Sequence, residues 1–414
     1  MATSTLIVNL WFVMQDQTIA LTLCLSMCAA YGLQLGSDHG PLYRLYNDLL
    51  EHYKPYIRPR KNPNETVEVV VSYSMASVEA LEETTQTVDS SGFLTLQWTD
   101  DLLTWNSNEY GGTDYINIPM EKLWFPDLSL TNGLDDLSLI LPIGEKARVT
   151  SNGSITWFRD LKKRTKCSLD MRHFPFDTQT CSINLIQWVA DIRQVNMTAG
   201  IVVIEPSLFQ RNGEWEITGN SKDTFLHTYS GNIIQTEIEF TFIFKRKYLY
   251  YIITNILPVM FLSVLNLGVF LLPPESGEKV SLCISIVLSY AVFLSVIGGR
   301  LPEVSDTVSI FSIYLLTMMF LKVATTLITV FVLKVYHQTT EEAYSHSKCL
   351  TRRQIQDNFK TDYEQESKLV KQRTPLKKTN TQLAKYLNMI GFTIVSLLTV
   401  MITILCFALL LKEQ

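Results

Sequence analysis

Charge is scarce in this sequence. Asp, Glu, Lys and Arg make up 18% of 414 residues, against 47% hydrophobic. That balance is too apolar for an ordinary soluble protein and too polar for a chain lying wholly in a membrane. The formal net charge of -5 gives no reason to expect a nucleic-acid partner. There is no HExxH, no phosphate-cradling glycine loop and no GxSxG, the patterns that point to metalloprotease, nucleotide or serine-hydrolase chemistry. No enzymatic activity, cofactor or metal site is therefore expected. Cysteine is sparse too. Of the seven, only Cys167 and Cys181 fall in a polar, strand-like region. Cys283 and Cys406 sit inside long apolar runs, where a free cysteine acts as a small hydrophobe.

What is present divides the chain into zones. Residues 19–30 are a short apolar stretch ending in small residues, which reads as a secretory signal over 1–32 although no basic segment opens it; a membrane anchor is the alternative. N-x-[ST] sequons stand at Asn64, Asn152 and Asn196. With the signal they fit an oxidising compartment in which Cys167 and Cys181 could pair. Leu42, Leu45, Leu49, Leu50 and Tyr53 recur at helical spacing. From about Val67 the texture changes to short, partly alternating runs such as VEVVVSYSM, GFLTLQW, CSINLIQW and TEIEFTFIF. Many such strands with turn residues between them predict an antiparallel β-sandwich over 33–247, preceded by an N-terminal helix.

At Tyr248 the composition shifts abruptly. Residues 248–272 hold no charge, 280–299 and 386–411 are likewise uncharged, and 308–333 is broken only by Lys322. Each is long enough to cross a bilayer as a helix. The chain is thus an α+β membrane protein, with a β-sandwich followed by a four-helix transmembrane bundle. The first three spans occupy 248–336, a loop 337–385, and the fourth span with the C-terminus 386–414. Between Lys334 and Lys385 there are 11 Lys/Arg and 6 Asp/Glu, which places that loop in the cytoplasm and the N-terminal domain outside. The loop is polar and reads as partly disordered. Lys322 is a costly mid-membrane charge, too far from either end to snorkel easily, so a polar pocket between helices is expected.

Cys167 and Cys181 bracket thirteen residues with Phe174-Pro175-Phe176-Asp177 in their midst. Together with WTDDLLTW, LWFPDLSL, NGEWEI and LLPPESGEKVSLCISIVLSYAVFL, this pattern resembles the Cys-loop receptors, the pentameric ligand-gated ion channels, from about Pro41 to the C-terminus. The last segment looks like the pore helix of the nicotinic acetylcholine and serotonin type-3 branch. The resemblance implies a plasma-membrane receptor assembling as a homopentamer or with related subunits, contacting membrane lipids, binding a small extracellular ligand between subunits, with a cationic amine as one candidate, and passing monovalent cations. It also implies that Phe174, Pro175 and Phe176 pack where Leu301-Pro302-Glu303 emerges, and that Asp177 and Glu83 gather with Arg246.

The same resemblance implies a pore stripe of Glu278, Ser281, Ser285, Leu288, Val292, Ser295 and Gly299, from inside to outside. Five Glu278 carboxylates would form a cation-selecting ring, and Leu288 and Val292 apolar girdles that gate by dewetting. Lys279 is expected to turn away. Arg300 follows Gly299 where nicotinic relatives often carry an acid. The β-domain compensates in part, with 20 Lys/Arg and 28 Asp/Glu between Leu33 and Lys247, since an acidic vestibule concentrates cations.

For the ligand, the resemblance implies an aromatic box that holds a cation: Trp188 and Tyr229 on one side, Phe93, Thr156 and Phe158 on the opposing face. The box departs from the nicotinic pattern at Thr131, where a tyrosine is usual, and in residues 227–235, which contain no adjacent cysteines. Acetylcholine is thus a poor candidate. An accessory subunit without a competent agonist site, and a binding-only surface receptor, remain open.

Overall fold

The computed structural model describes residues 40–134, 140–142, 144–204, 207–229, 232–273, 277–299, 308–353 and 362–412, with the side chains of 338–381 excepted. The signal segment 1–32 and the linker bearing Arg300, Leu301, Pro302 and Glu303 lie outside the described residues.

Helix α1 (Pro41–Leu50) opens on a proline, which loses nothing at a first helical turn, and buries Leu45. Ten strands follow, from β1 (Val67–Glu82) and β2 (Thr87–Thr99) through β6 (Ser154–Lys166), β7 (Thr178–Gln187) and β8 (Val195–Ile204) to β9 (Trp215–Tyr229) and β10 (Ile233–Arg246). They form a six-stranded sheet, ordered β3-β5-β6-β2-β1-β8, and a four-stranded sheet, ordered β4-β7-β10-β9, with β3 at Tyr115–Pro119, β4 at Leu128–Leu130 and β5 at Lys146–Thr150. Among the described residues the paired strands are antiparallel except for β8 on β1. Strand β8 runs parallel to β1, from Val67 opposite Val195 to Met75 opposite Ile204, because it enters the six-stranded sheet at its edge after crossing over from β7.

The period-2 alternation of strands sends every second residue inward. Val67, Val69, Val71, Tyr73 and Met75 of β1 face Ile238, Phe240, Phe242 and Phe244 of β10, all buried. Tyr73 joins the sheets, its ring 5.9 Å from those of Phe240 and Phe242. Continuing the same phase along β10, the next inward position is Arg246. The strand therefore ends by driving a guanidinium into the core.

Below it stand four helices long and apolar enough to cross a membrane: Leu249–Leu271, Lys279–Gly298, Ile310–His337 and Gln382–Leu411. We call the first two α2 and α3. The third and fourth are parts of α4 (Ile310–Arg353) and α5 (Asp362–Leu411). Helix α2 widens to a π-helical turn at Ile252–Ile256, just before Pro258, whose ring removes a donor and crowds the preceding turn. Helix α4 packs on α3 and α5, and α2 on α3. Much of the loop read as partly disordered is helical, an extension of α4 and α5. Its residues are polar but rich in helix-forming Glu, Lys and Gln, and contain no glycine.

Candidate functional site

Three groups of residues singled out from the sequence lie at three levels of the fold. The first surrounds Arg246. Its Nε and one terminal nitrogen donate to the two oxygens of Asp177 at 2.8 and 3.1 Å, and its other terminal nitrogen donates to Glu83 at 2.7 Å, Glu214 at 3.1 Å and the Tyr251 hydroxyl at 3.1 Å. The guanidinium stacks over Trp215, 4.1 Å from the ring centre, with Phe174 and Tyr251 at 5.1 and 5.2 Å. Burial alone would pull its pKa down; the hydrogen bond and charge of Asp177, with the charge of Glu83, outweigh this and raise it above the usual range. A fully buried cation is tolerated only with such compensation. Glu83, Asp177 and Arg246 are thus in one cluster. Glu214, Trp215 and Tyr251 also belong to it and were not singled out. Only the phase of β10 could have flagged them, by showing that Arg246 faces a core it needs partners to enter.

Cys167 and Cys181 are bonded, with Cα atoms 5.3 Å apart, and Phe174-Pro175 is a cis peptide. Phe174 is buried rather than exposed. Its ring lies 5.0 Å from Tyr251 at the head of α2 and 6.4 Å from Phe311 at the head of α4. Phe176 packs on Tyr248 at 5.1 Å, and the Ile310 N–H donates to the Arg172 carbonyl. Among the described residues the loop therefore meets the first and third spans, while Pro302 lies outside them.

The second group is on α3. Glu278, Ser281, Ser285, Leu288, Val292, Ser295 and Gly299 all lie on its exposed face, Leu288 at 65% and Val292 at 57% exposure. The opposite face, with Cys283, Ile286, Tyr290 and Ile297, is buried against the other helices. The Ser285 hydroxyl donates to the Ser281 carbonyl at 2.9 Å, which leaves its oxygen lone pairs pointing outward as acceptors. Lys279 is fully buried, its Nζ 2.5 Å from Asn388 Oδ1 and 3.4 Å from the Leu272 carbonyl. The exposed face also includes Ile284, Ser289 and Val296, so it is wider than the stripe. Lys322 sits in a polar pocket at about 18 Å along α4 from Ile310, donating to Ser263 Oγ at 3.3 Å with its Nζ 4.3 Å from the centre of the Tyr290 ring.

The third group lies far from the membrane. Trp188, directly after β7, is 62% exposed, and Tyr229 at the tip of β9 is 50% exposed. The Trp188 backbone is pinned on both sides, its N–H to the Asp127 carbonyl and its carbonyl to Gln235 Nε2, each at 2.9 Å. Asp191 accepts from the Ile234 N–H at 3.2 Å, and the Arg193 hydrogen bond holds its carboxyl well below the usual range. Thr131 donates to Glu237 Oε1 at 2.7 Å, and His227 pairs with the other oxygen of the same carboxylate. Glu237 is nearly buried and, like His227, was missed, because an acid on an outward-reading strand looks like an ordinary solvated charge. Phe93, Thr156 and Phe158 project from the outer face of the six-stranded sheet, where Gln97 opposes Thr156 and Thr95 opposes Phe158. One chain therefore does not bring Phe93, Thr156 and Phe158 to Trp188 and Tyr229. They occupy different sheets.

The sequons differ in setting. Asn64 and Asn152 are exposed, whereas Asn196 lies within β8 and donates its Nδ2 to Glu68 at 2.9 Å. Among the described residues no three His, Cys, Asp or Glu side chains gather as a metal site would require.

Residues 42–248 match the family described as the neurotransmitter-gated ion-channel ligand binding domain, and 255–393 its transmembrane region. Similar proteins include the neuronal acetylcholine receptor subunit alpha-6 of Homo sapiens, 33% identical over 300 residues, or 72% of this chain and 60% of the relative. The beta-3 subunit of Gallus gallus is 32% identical over 336 residues, 77% of this chain and 70% of the relative. The alpha-5 subunit of Rattus norvegicus is 31% identical over 303 residues, 72% and 65%. The matched part thus spans 60% of the length of the alpha-6 relative.

Proposed function

The chain belongs to the neurotransmitter-gated ion-channel family, and we propose that it is one subunit of a pentameric, cation-selective channel opened by a small extracellular ligand bound between subunits. Its family is one of ion channels rather than enzymes, and its four spans make it a multi-pass protein of the plasma membrane.

The observation that carries this reading is the sorting of two adjacent charges on α3. Glu278 is exposed on the same face as the serines, while Lys279 is buried against α5. Five such helices around an axis leave an inner mouth ringed by carboxylates without matching ammonium groups, which favours cations. Above it, serine oxygens replace part of an ion's hydration, and Leu288 and Val292 narrow a stretch from which water withdraws. A single helix cannot enclose a pore, so partners are required, either copies of this chain or related subunits.

The ligand side supports an intersubunit site of unusual chemistry. Trp188 and Tyr229 supply faces for a cationic amine, but Thr131 and His227 are already engaged with Glu237, and no cysteine stiffens residues 227–235. That engagement favours a second reading, an accessory subunit that contributes its pore helix without a full agonist site. Expression of the chain alone and together with related subunits, with currents recorded under amines, amino acids and pH steps, tests both. Agonist-evoked current from the chain alone supports the first reading. Current only on co-expression, unaffected by Trp188→Ala, supports the second. A surface protein that never alters current in either setting would overturn both and leave a binding-only receptor.

A further inference from the structure

Helix α5 is uncharged from Tyr386 to Leu411, yet it carries an amide, Asn388, about 9 Å into the fourth span, which begins at Gln382. That amide bridges two other elements. Its Nδ2 donates at 2.6 Å to the carbonyl of Phe270, in the last turn of α2, where helical carbonyls have no donor of their own. Its Oδ1 accepts from Nζ of Lys279, in the first turn of α3. An amide serves both because one end only donates and the other only accepts. Close packing keeps it in place. Phe270 meets Phe392 edge to face at 6.3 Å. Gly391, three residues on from Asn388, leaves room for the Phe270 ring, since a Cβ there would stand 2.8 Å from Phe270 Cε1. The other contacts of the Lys279 ammonium are weaker: the Leu272 carbonyl at 3.4 Å and the Phe270 ring, its centre 5.8 Å away.

We propose that Asn388 is a positioning residue for ion selection: it holds the Lys279 ammonium inside the bundle, so that Glu278 faces the pore uncompensated. The proposal rests on the pore reading given above. The backbone of α3 turns the Lys279 side chain toward the other helices, but a lysine stem is flexible over four carbons, and the backbone alone does not fix where its charge ends. A buried ammonium stays buried only while it is hydrogen-bonded. Without the Asn388 oxygen it keeps one long bond, to Leu272, and the water of the inner mouth becomes the favoured place. There it stands one residue from Glu278 and cancels that carboxylate. Selection by charge at the mouth thus depends on an uncharged side chain of α5, a helix that contributes nothing to the exposed face of α3.

Two measurements test this, the first independent of any current. Purified full-length protein in mild detergent is treated with sulfosuccinimidyl acetate, which acetylates accessible amines, and the labelled lysines are mapped by peptide mass spectrometry. Lys279 should be protected in wild type and acetylated in Asn388→Leu. Lys322, also buried, should stay protected in both and so reports an intact bundle. If Lys322 is acetylated too, Asn388→Ala is read in its place. Equal labelling of Lys279 in wild type and variant overturns the proposal. Reversal potentials in diluted salt then read the consequence. Asn388→Leu should shift toward chloride, as Glu278→Ala does, and Asn388→Leu/Lys279→Gln should return to the wild-type value, a recovery that a merely structural loss could not give. A shift in Glu278→Ala with none in Asn388→Leu, or no recovery in the double variant, overturns this inference alone. No shift in either Glu278→Ala or Glu278→Lys overturns the pore reading and the inference with it.

Discussion

Asp177 and Arg246 meet across 69 residues of sequence as a two-armed ion pair, with the carboxylate 3% and the guanidinium 2% exposed. Asp177 has one further donor, Gln179 Nε2, at 2.6 Å. Each oxygen that burial strips of water is thus given a charged or amide donor. Replacing Asp177 with Asn leaves the geometry but removes the one fully buried counter-charge, so that Arg246 keeps only the more exposed Glu83 and Glu214. The expected loss is about 3–5 kcal/mol, as for other broken buried pairs. It would appear as a lowered melting temperature and reduced surface protein. An unchanged melting temperature would show that Glu83 and Glu214 suffice.

Glu278→Ala removes one carboxylate per subunit from the proposed inner mouth, and Glu278→Lys inverts it. Reversal potentials in diluted salt should move toward chloride, further for Lys than for Ala. Lys279→Gln should leave the reversal potential unchanged, because that ammonium is turned toward Asn388 and away from the exposed face. Equal effects of the two residues would refute the sorting on which the proposed function rests.

Leu288→Ser places a hydroxyl at the proposed apolar girdle. Wetting becomes easier, and current without agonist should rise, with Val292→Ser acting in the same direction but less. Surface labelling alongside the recording separates a gating effect from poor assembly. Normal surface density with no added leak would remove Leu288 from the gate.

Asp100 is buried, and that burial raises its carboxyl to about 6, although the Tyr53 hydroxyl donates to it at 2.6 Å. A folded-state value above the unfolded one of about 3.9 means the native state holds the proton more tightly. The associated stability is fully present below about pH 4, declines as pH rises toward about 6, and is absent above. The melting temperature of the intact protein should therefore fall across that window. Asp100→Asn should flatten the fall. Carboxylates lowered by arginine, such as Asp89 and Asp170, act at more acid pH and in the opposite direction, so the window separates them.

Glycan occupancy should follow backbone setting. Asn152 uses its Oδ1 to cap a turn, accepting from the Ser154 N–H at 3.0 Å and from the Thr150 hydroxyl, and those bonds leave Nδ2 to the solvent. Asn196 spends its Nδ2 on Glu68 inside a strand. Loss of a glycosidase-sensitive mass is expected in Asn64→Gln and Asn152→Gln, and none in Asn196→Gln.

Much of this molecule was legible because its two parts follow different periods. Alternation in β1, β2 and β10 marks a sandwich, and charge-free runs of bilayer length mark the spans. The stripe on α3 was reached through the family resemblance, and the serines at i and i+4 that it contains do lie on the exposed face of that helix. Partners of buried charge were harder to read. Glu214 reaches Arg246 from the bend before β9, 32 residues away, and Tyr251 from the next helix, so no local spacing announces them. Glu237 was overlooked because its burial depends on Thr131 and His227, which arrive from two other segments. The parallel seating of β8 beside β1 likewise depends on a crossover that no single strand records.

Strand β10 also has a mechanical meaning. Glu237 near one end belongs to the ligand-side cluster, and Arg246 at the other to the membrane-side cluster. The nine residue-to-residue steps from one to the other span about 30 Å. Only Lys247 and Tyr248 separate the strand from α2, so there is no slack segment to absorb a displacement. The strand works as a tie rod: hydrogen-bonded along both edges to β7 and β9, it cannot stretch, and a shift imposed at one end must reappear at the other or be spent in breaking the ladders. Its length is also quantised by its pleat. One added residue would turn Arg246 out of its cage and an outward side chain into it. Two would restore the faces but move the whole membrane end about 7 Å.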